Sequence, residues 1–151
     1  MYEQLRLKNQ LCFPLYAASK EVVRLYSPYL RPLKLTYTQY LVMLLLWEFG
    51  QLSVKEIAEQ LYLDTGTLSP LFRKLAGKGL VSARRDECDR RSVVLTLTPR
   101  GRRLEEAASR IPENIGRCLG ISEGEQRQLY DLLYRVLQGQ KGSPEAGEKN
   151  E

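Results

Sequence analysis

The spacing of apolar residues predicts a chain that is helical over most of its length. From about Glu3 to Leu25, apolar residues recur at intervals of three and four, and Pro14 within this stretch predicts a kinked first helix. After a break from Pro28 to Pro32, Thr36-Tyr37-Thr38-Gln39 predicts a capping box that starts a second helix. This second helix is almost entirely apolar and ends at Gly50, so we expect it in the core.

Two shorter helical patterns follow, and their order is typical of a helix-turn-helix. The first begins at Ser53, where Glu56 completes a second capping box. The second runs from Thr65 to Leu75 and is ended by Gly77 and Gly79. Because it carries hydroxyls early and cations late, it is interpreted as a recognition helix for the DNA major groove.

A hairpin is predicted directly after these helices. Its strands are the β-branched stretches 80–82 and 92–97, and the loop 83–91 between them carries four arginines. Arginine is favoured in the narrow, negative minor groove, so the hairpin is interpreted as a wing. The expected fold is therefore mainly α with a small β-hairpin wing, a winged helix-turn-helix. The alternative is another kind of small domain, with the arginines forming a solvated face.

Candidate DNA contacts lie on the second helix of this motif and in the wing. Hydroxyls at the start of the helix would bond base edges or phosphates, and cations near its end would anchor phosphates. The hydroxyl residues are Thr65, Thr67 and Ser69, and the cations are Arg73 and Lys74. In the wing, Arg91 is expected to enter the minor groove while Asp89 positions it through a charge-assisted hydrogen bond. The other wing arginines would contact phosphates, namely Arg84, Arg85 and Arg90.

Pro70 leaves the register of the recognition helix open. If Asp64 is the N-cap, the proline lies past the first turn and costs a hydrogen bond. If Thr67 is the cap, the proline takes a tolerated early position.

Two further helical stretches follow the hairpin. Thr98-Pro99 supplies an N-cap and a first-turn proline for a helix that Pro112 interrupts, and Ser122-Glu123-Gly124-Glu125 caps the last helix. The first and last helices carry more apolar surface than one small winged domain can cover. We therefore expect a homodimer whose paired recognition helices read a pseudo-palindromic operator in double-stranded DNA.

The length of 151 residues suits one domain. We expect that domain over residues 1–138, with dimerisation helices at about 3–35 and 99–138 and a DNA-binding segment at about 36–98. Residues 139–151 are rich in Gly, Pro, Lys and Glu, and this composition predicts a disordered tail.

Composition narrows the function classes. A net charge of +5 fits a phosphate-bearing partner, and the absence of histidine removes the commonest general base and metal ligand. The three cysteines, Cys12, Cys88 and Cys118, form no Cys-x-x-Cys motif, and we find neither a membrane-spanning run nor a signal peptide. These features predict a cytoplasmic protein with reduced thiols that is not an enzyme and needs neither a metal nor a cofactor.

With those residues placed, the chain resembles the MarR family of winged-helix repressors up to about Leu137. The wing carries the family's Asp-x-Arg element as Asp89-Arg90-Arg91, followed by Leu95-Thr96-Leu97-Thr98 and Gly101. Three further blocks, at residues 9–17, 36–40 and 60–68, resemble the family's organic-hydroperoxide sensors.

The resemblance implies that Cys12 is a thiol oxidised by organic hydroperoxide and that the hydroxyls of Tyr26 and Tyr37 bond its sulfur from across the dimer interface. Thiolate attack on the peroxide gives a sulfenic acid, which a second thiol converts to a disulfide. The resemblance implies that Cys118 of the other subunit supplies that thiol. The displaced helices would then release DNA.

Simpler roles stay open for each of these residues. A lone helical cysteine such as Cys12 is more often a small core residue, Tyr26 and Tyr37 could be interface aromatics, and Cys118 could be an inert buried thiol. Cys88 in the wing tip is expected to be solvated and incidental. Two other functions also stay open: a MarR-type repressor released by a small phenolic or drug-like ligand, and a thiol peroxidase with an incidental basic surface.

Overall fold

The computed structural model describes residues 2–85 and 92–141, and helices dominate them. The helices are α1 (Cys12–Leu30), α2 (Tyr37–Phe49), α3 (Val54–Leu61), α4 (Thr65–Gly77), α5 (Pro99–Ala108), α6 (Ile111–Cys118) and α7 (Glu123–Lys141). The strands are β1 (Gln51–Ser53), β2 (Val81–Arg85) and β3 (Val93–Leu97). The chain divides into two units, Met1–Gly116 and Arg117–Glu151. The prediction of a mainly α fold with a small β-hairpin wing is confirmed.

Helix α2 forms the centre of the first unit. The predicted capping box is present: Gln39 N–H donates to the Thr36 hydroxyl at 3.3 Å, and Thr36 N–H donates to Gln39 Oε1 at 3.2 Å. The helix ends at Gly50, whose φ of 76° favours glycine. Its buried side chains belong to one apolar core with residues of the neighbouring helices and strands, among them Tyr40, Met43, Leu46, Ile57, Leu68, Leu75 and Leu95.

Helices α3 and α4 form the predicted helix-turn-helix pair. The Ser53 capping box starts α3, and the chain leaves this helix through Tyr62 in a left-handed conformation. Asp64 then caps α4 by accepting a hydrogen bond from the Thr67 backbone N–H at 2.8 Å. This cap decides between the two registers that the sequence left open. Pro70 is thus inside α4, past its first turn, where it forgoes one backbone hydrogen bond.

The sheet has three antiparallel strands in the order β1-β3-β2. β2 and β3 are the predicted hairpin, paired from Val81 opposite Leu97 to Arg85 opposite Val93. β1 was not predicted, because three residues are too few to show an alternating pattern. Its pairing of Leu52 with Leu95 ties the base of the hairpin to the segment that starts α3.

A junction of Trp47, Leu80, Thr98 and Gly101 joins α5 to the hairpin. The Thr98 backbone N–H donates to the Leu80 carbonyl at 3.1 Å, and the Trp47 indole N–H donates to the Gly101 carbonyl at 2.9 Å. A Cβ on Gly101 would lie 2.1 Å from the Leu80 carbonyl oxygen. Only glycine therefore allows α5 to approach the backbone of Leu80 this closely.

Two expectations about proline were wrong. α1 begins at Cys12, so Pro14 lies in its first turn and is no internal irregularity; the residues before it form two 3₁₀ turns, Glu3–Leu5 and Leu7–Asn9. α1 then continues through Pro28 to Leu30, inside the predicted break. The predicted interruption at Pro112 is confirmed: α5 ends at Ala108, and Pro112 is the second residue of a new helix, α6. Proline lacks an N–H that the first turn of a helix does not need, so Pro14 and Pro112 cost nothing there.

The second unit contains α7. Its predicted capping box is confirmed, since Glu125 N–H donates to the Ser122 hydroxyl at 3.3 Å and Ser122 N–H donates to a Glu125 carboxylate oxygen at 2.8 Å. The helix runs to Lys141, so Gly139 to Lys141 are helical and not part of the predicted disordered tail; the rest of that tail lies outside the described residues. Several of its apolar side chains are exposed, namely Leu129, Leu132 and Val136.

Candidate functional site

The hydroxyl side chains at the start of α4 are exposed and partly engaged within the helix. The Thr67 hydroxyl donates to Asp64 Oδ2 at 2.5 Å, and the Ser69 hydroxyl donates to the Thr65 carbonyl at 3.3 Å. In the structure both hydroxyl protons are bonded within the helix or its cap, and each hydroxyl can rotate to donate to an acceptor outside the protein. The hydrogen bonds from Thr67 also hold the pKa of the Asp64 carboxyl below its ordinary value.

A cleft of about 580 Å³ lies between α3, α4 and the hairpin. Three of the expected DNA-contact residues line it, namely Thr65, Ser69 and Arg73, whereas Thr67 and Lys74 are exposed outside its lining. Lys55 from α3 and Ser92 from the hairpin also line the cleft. Sequence reasoning missed Lys55, although its place near the start of the first helix of the pair was a usable signal. Cations and hydroxyls around an open groove suit a phosphodiester backbone.

The structure describes only part of the wing. Arg84 and Arg85 lie on β2 opposite Val94 and Val93, so the expectation that they belong to the loop was wrong. β2 extends beyond Ser82 because its pairing with β3 continues as far as Val93, the first residue of β3. Both side chains are exposed and, as neighbours on one strand, point to opposite faces of the ribbon. The other expected wing contacts, Asp89, Arg90 and Arg91, lie outside the described residues, as does Cys88.

Tyr26 of α1 and Tyr37 of α2 are in ring contact, with centroids 4.8 Å apart. Tyr40 extends this aromatic cluster, at 5.7 Å from Tyr26 and 6.2 Å from Trp47. Burial raises the pKa of Tyr26 and Tyr37, and it raises the pKa of Tyr40 to about 12. The phenol groups consequently keep their protons at neutral pH and can act as hydrogen-bond donors.

Cys12 is the first residue of α1 and Cys118 the last residue of α6; both are exposed free thiols. The alternatives in which Cys12 is a small core residue and Cys118 an inert buried thiol are therefore wrong for the single chain. Cys12 and Tyr26 lie on the same helix, where a rise of 1.5 Å per residue separates them by about 21 Å along the axis. The tyrosine pair of one chain is thus out of hydrogen-bonding reach of the thiol of that chain.

Lys78 connects the end of α4 to the segment between α1 and α2. Its ammonium donates to Gln39 Oε1 at 2.7 Å and to the Lys34 carbonyl at 2.5 Å. These two contacts are named here the Lys78 bridge. Sequence reasoning missed it because its partners are 39 and 44 residues away in the chain, and no local pattern marks such contacts.

No described helix is long and apolar enough to cross a membrane. Within residues 2–85 and 92–141, no group of three His, Cys, Asp or Glu residues could hold a metal ion.

Comparison with known proteins identifies several regulators. The MarR family model matches residues 35–93. The organic hydroperoxide resistance transcriptional regulator of Bacillus subtilis (strain 168) is 46% identical over 140 residues, which cover 91% of this chain and 93% of the relative.

Solved structures agree with this match. Reduced AbfR bound to DNA superposes with a TM-score of 0.76 at 33% identity, covering 94% of this chain and 100% of that chain. AbfR, which comes from Staphylococcus epidermidis, also has a disulfide form that superposes with a TM-score of 0.62 at 34% identity, covering 93% of this chain and 96% of that one. BpsR of Bordetella bronchiseptica, whose DNA binding is regulated by 6-hydroxynicotinic acid, superposes with a TM-score of 0.79 at 26% identity, covering 87% and 95%. With a relative of this identity and coverage and with the winged helix-turn-helix in place, the chain belongs to the MarR family of transcriptional regulators.

Proposed function

We propose that this protein is a redox-sensing repressor that binds its DNA operator as a homodimer and leaves it when organic hydroperoxide oxidises Cys12. The observation that carries the proposal is an exposed Cys12 thiol in a chain that also holds Tyr26 and Tyr37 in contact as protonated, half-buried donors. The 46% identical hydroperoxide resistance regulator and the disulfide form of AbfR support the same chemistry.

The proposed reaction follows from the thiol. The Cys12 thiolate attacks one peroxide oxygen, the O–O bond breaks, and the alkoxide leaves and takes up a proton as an alcohol. Cys12 is then a sulfenic acid. The Cys118 thiol of the second subunit attacks that sulfur, forming an S–S bond and releasing water. Before oxidation, the hydroxyls of Tyr26 and Tyr37 stabilise the thiolate by donating hydrogen bonds to it.

The homodimer is part of the proposal, and the distances within one chain support it. Tyr26 is about 21 Å along α1 from its own Cys12, so a Cys12 thiol that meets the tyrosine pair would have to come from another copy. Large apolar side chains are also exposed near the start of the chain and on α7. They include Leu5, Leu11 (82% exposed), Phe13, Leu129, Leu132 and Val136. Apolar surface of this extent, covered by a second copy, would form a largely hydrophobic obligate interface.

For DNA, we propose that α4 lies in the major groove with Thr65, Thr67 and Ser69 toward base edges and phosphates. Arg73 and Lys74 would anchor phosphates. The hairpin would follow the adjacent minor groove, with Arg91 inserted beside Asp89 and with Arg84, Arg85 and Arg90 on phosphates. The places of Thr65, Ser69 and Arg73 around the cleft, with Lys55 also in its lining, support the assignment of these three residues.

A second candidate function is release by a small ligand. It is favoured by BpsR, a neighbour regulated by 6-hydroxynicotinic acid, and by a cavity of about 450 Å³ next to Tyr37. Arg31, Lys34 and Thr36 line this cavity and would suit an aromatic acid. Release by such a ligand would not depend on Cys12.

The deciding experiment measures operator binding before and after one equivalent of cumene hydroperoxide, with the wild type, Cys12→Ser and Cys118→Ser. The proposal expects Cys12→Ser to bind DNA normally and to ignore the peroxide. It expects the wild type to form a covalent dimer on a non-reducing gel, with mass mapping giving a Cys12–Cys118 peptide. Release of Cys12→Ser by peroxide would contradict the sensing role, and an oxidised Cys12 without the crosslink would remove Cys118 from the mechanism.

A further inference from the structure

We propose that Lys78 is a positioning residue that couples the Tyr26–Tyr37 pair to the recognition helix, an inference that rests on the proposed redox function. Lys78 directly follows the last residue of α4, and its ammonium is held at the Lys78 bridge by two oxygens of another part of the fold. The end of the DNA-reading helix is therefore tied to the segment that carries Tyr37.

The two acceptors stand on either side of Tyr37 in the chain and are rigidly held. Lys34 has a φ of 55°, a left-handed conformation that a non-glycine residue keeps only where its surroundings impose it. Gln39 is 2% exposed, and its Oε1 also accepts the backbone N–H of Thr36 at 3.2 Å. Movement of the first turn of α2 would therefore displace an acceptor of the ammonium directly.

The contact between Tyr37 and Tyr26 connects the first turn of α2 to the proposed thiol site. Tyr37 is the first residue of α2, and its ring lies against Tyr26 at 4.8 Å. In the proposed mechanism, oxidation of Cys12 changes the sulfur to which the Tyr37 hydroxyl donates. The resulting adjustment of Tyr37 reaches Gln39 within the same helical turn, and from Gln39 it reaches Lys78 through one charge-assisted hydrogen bond.

The bridge is an unusual place for a lysine. Burial lowers the pKa of Lys78, and the nearby charge of Lys74 adds to this effect, so the ammonium loses hydration for two uncharged oxygens. The two oxygens replace part of the water that the ammonium would otherwise bind. Lys74, in contrast, is exposed on the same end of α4 and is free to face DNA phosphates.

The test compares Lys78→Met and Lys78→Arg with Lys74→Met as the matched control. For each variant, operator dissociation constants are measured at one salt concentration for the reduced protein and after one equivalent of cumene hydroperoxide. The ratio of the two constants is the coupling, and couplings of roughly 5- to 150-fold are typical of regulatory proteins. We expect Lys78→Met to lower this ratio at least about fivefold and Lys78→Arg to keep most of the wild-type ratio. Lys74→Met should weaken DNA binding by the reduced and the oxidised protein equally.

Lys78→Met is expected to fold, because Gln39 Oε1 keeps the Thr36 N–H as a partner. If urea unfolding shows otherwise, Lys78→Leu, which is also neutral and has no hydrogen-bond donor, replaces it with the same expectation. If either neutral variant has the same ratio of dissociation constants as the wild type, the coupling role is overturned. If its reduced and oxidised forms also both bind DNA more weakly by the same factor, Lys78 is a phosphate anchor. A ratio of one in the wild type would refute the proposed redox function itself, and the coupling role would fall with it.

Discussion

Replacing Gly101 by alanine should weaken the junction between α5 and the hairpin more than its single added methyl group suggests. That methyl group would lie 2.1 Å from the Leu80 carbonyl oxygen and 2.9 Å from Leu97 Cδ1. The first neighbour is backbone and cannot rotate away. The helix must therefore move by about 1 Å or more, since ordinary contacts of this kind begin near 3.4 Å.

The expected loss of unfolding free energy in Gly101→Ala is the sum of three effects. The displacement stretches the bonds from Thr98 N–H to Leu80 and from Trp47 Nε1 to Gly101, each worth about 1 kcal/mol. Overpacking adds about 1–3 kcal/mol, while alanine gains about 1 kcal/mol over glycine within a helix. We expect Gly101→Ala to lower the free energy of unfolding by about 2–4 kcal/mol.

Urea unfolding followed by tryptophan fluorescence measures this loss, because Trp47 is the only tryptophan and lies in the junction itself. Protein concentration must be equal for all variants, since a dimer unfolds in a concentration-dependent way. Gly77→Ala is the control: it adds the same methyl group near the end of α4, where nothing lies within 4 Å, and should be neutral or slightly stabilising. A Gly101→Ala midpoint equal to that of the wild type would refute the close-approach argument.

Three other substitutions test separate features. The Thr96 hydroxyl is buried without a hydrogen-bond partner among the described residues, so Thr96→Val should raise the free energy of unfolding by about 1 kcal/mol in the same urea assay. Hydrogen bonds from Thr67 lower the folded-state pKa of Asp64, so its stabilising effect is present above the ordinary pKa of 3.8 and is lost as the pH falls below it. Asp64→Asn should therefore flatten the dependence of the urea midpoint between about pH 5 and pH 2, and an unchanged dependence would contradict the cap's role. Arg91→Ala should weaken operator binding by roughly tenfold or more, and by more than Arg73→Ala does, in a fluorescence anisotropy titration; equal affinity for Arg91→Ala and the wild type would remove the minor-groove assignment.

Much of the fold could be predicted because its signals are local. Each of the capping boxes at Thr36, Ser53 and Ser122 involves residues three positions apart, so the sequence shows both partners. Proline was harder to interpret, because Pro112 lies in the first turn of a helix whereas Pro70 lies in the interior of one. The outcome depends on where the helix is capped, and for α4 two caps were compatible with the sequence.

The candidate site likewise has some features that the sequence shows and others that only the tertiary structure shows. Hydroxyls and cations on one helix are visible in the sequence and predicted DNA binding, whereas the cysteine chemistry was predicted only through the resemblance to hydroperoxide sensors of the MarR family. The contact of Tyr26 with Tyr37 and the exposure of Cys12 needed the tertiary structure. Sequence reasoning also missed Lys55 beside α4, whose position follows from the packing of α3 on α4.

By itself, then, the sequence determined the order of the main helices and of the two hairpin strands, most of the helix caps and the presence of a DNA-reading helix. These depend on hydrogen bonds and apolar periodicity within a few residues of the chain. The tertiary structure alone decided that β1 joins the hairpin, that Gly101 meets Leu80, and that Lys78 reaches Gln39 and Lys34. Such contacts join residues that are distant in the chain, so they depend on how the helices and strands pack against one another and leave no local pattern in the sequence.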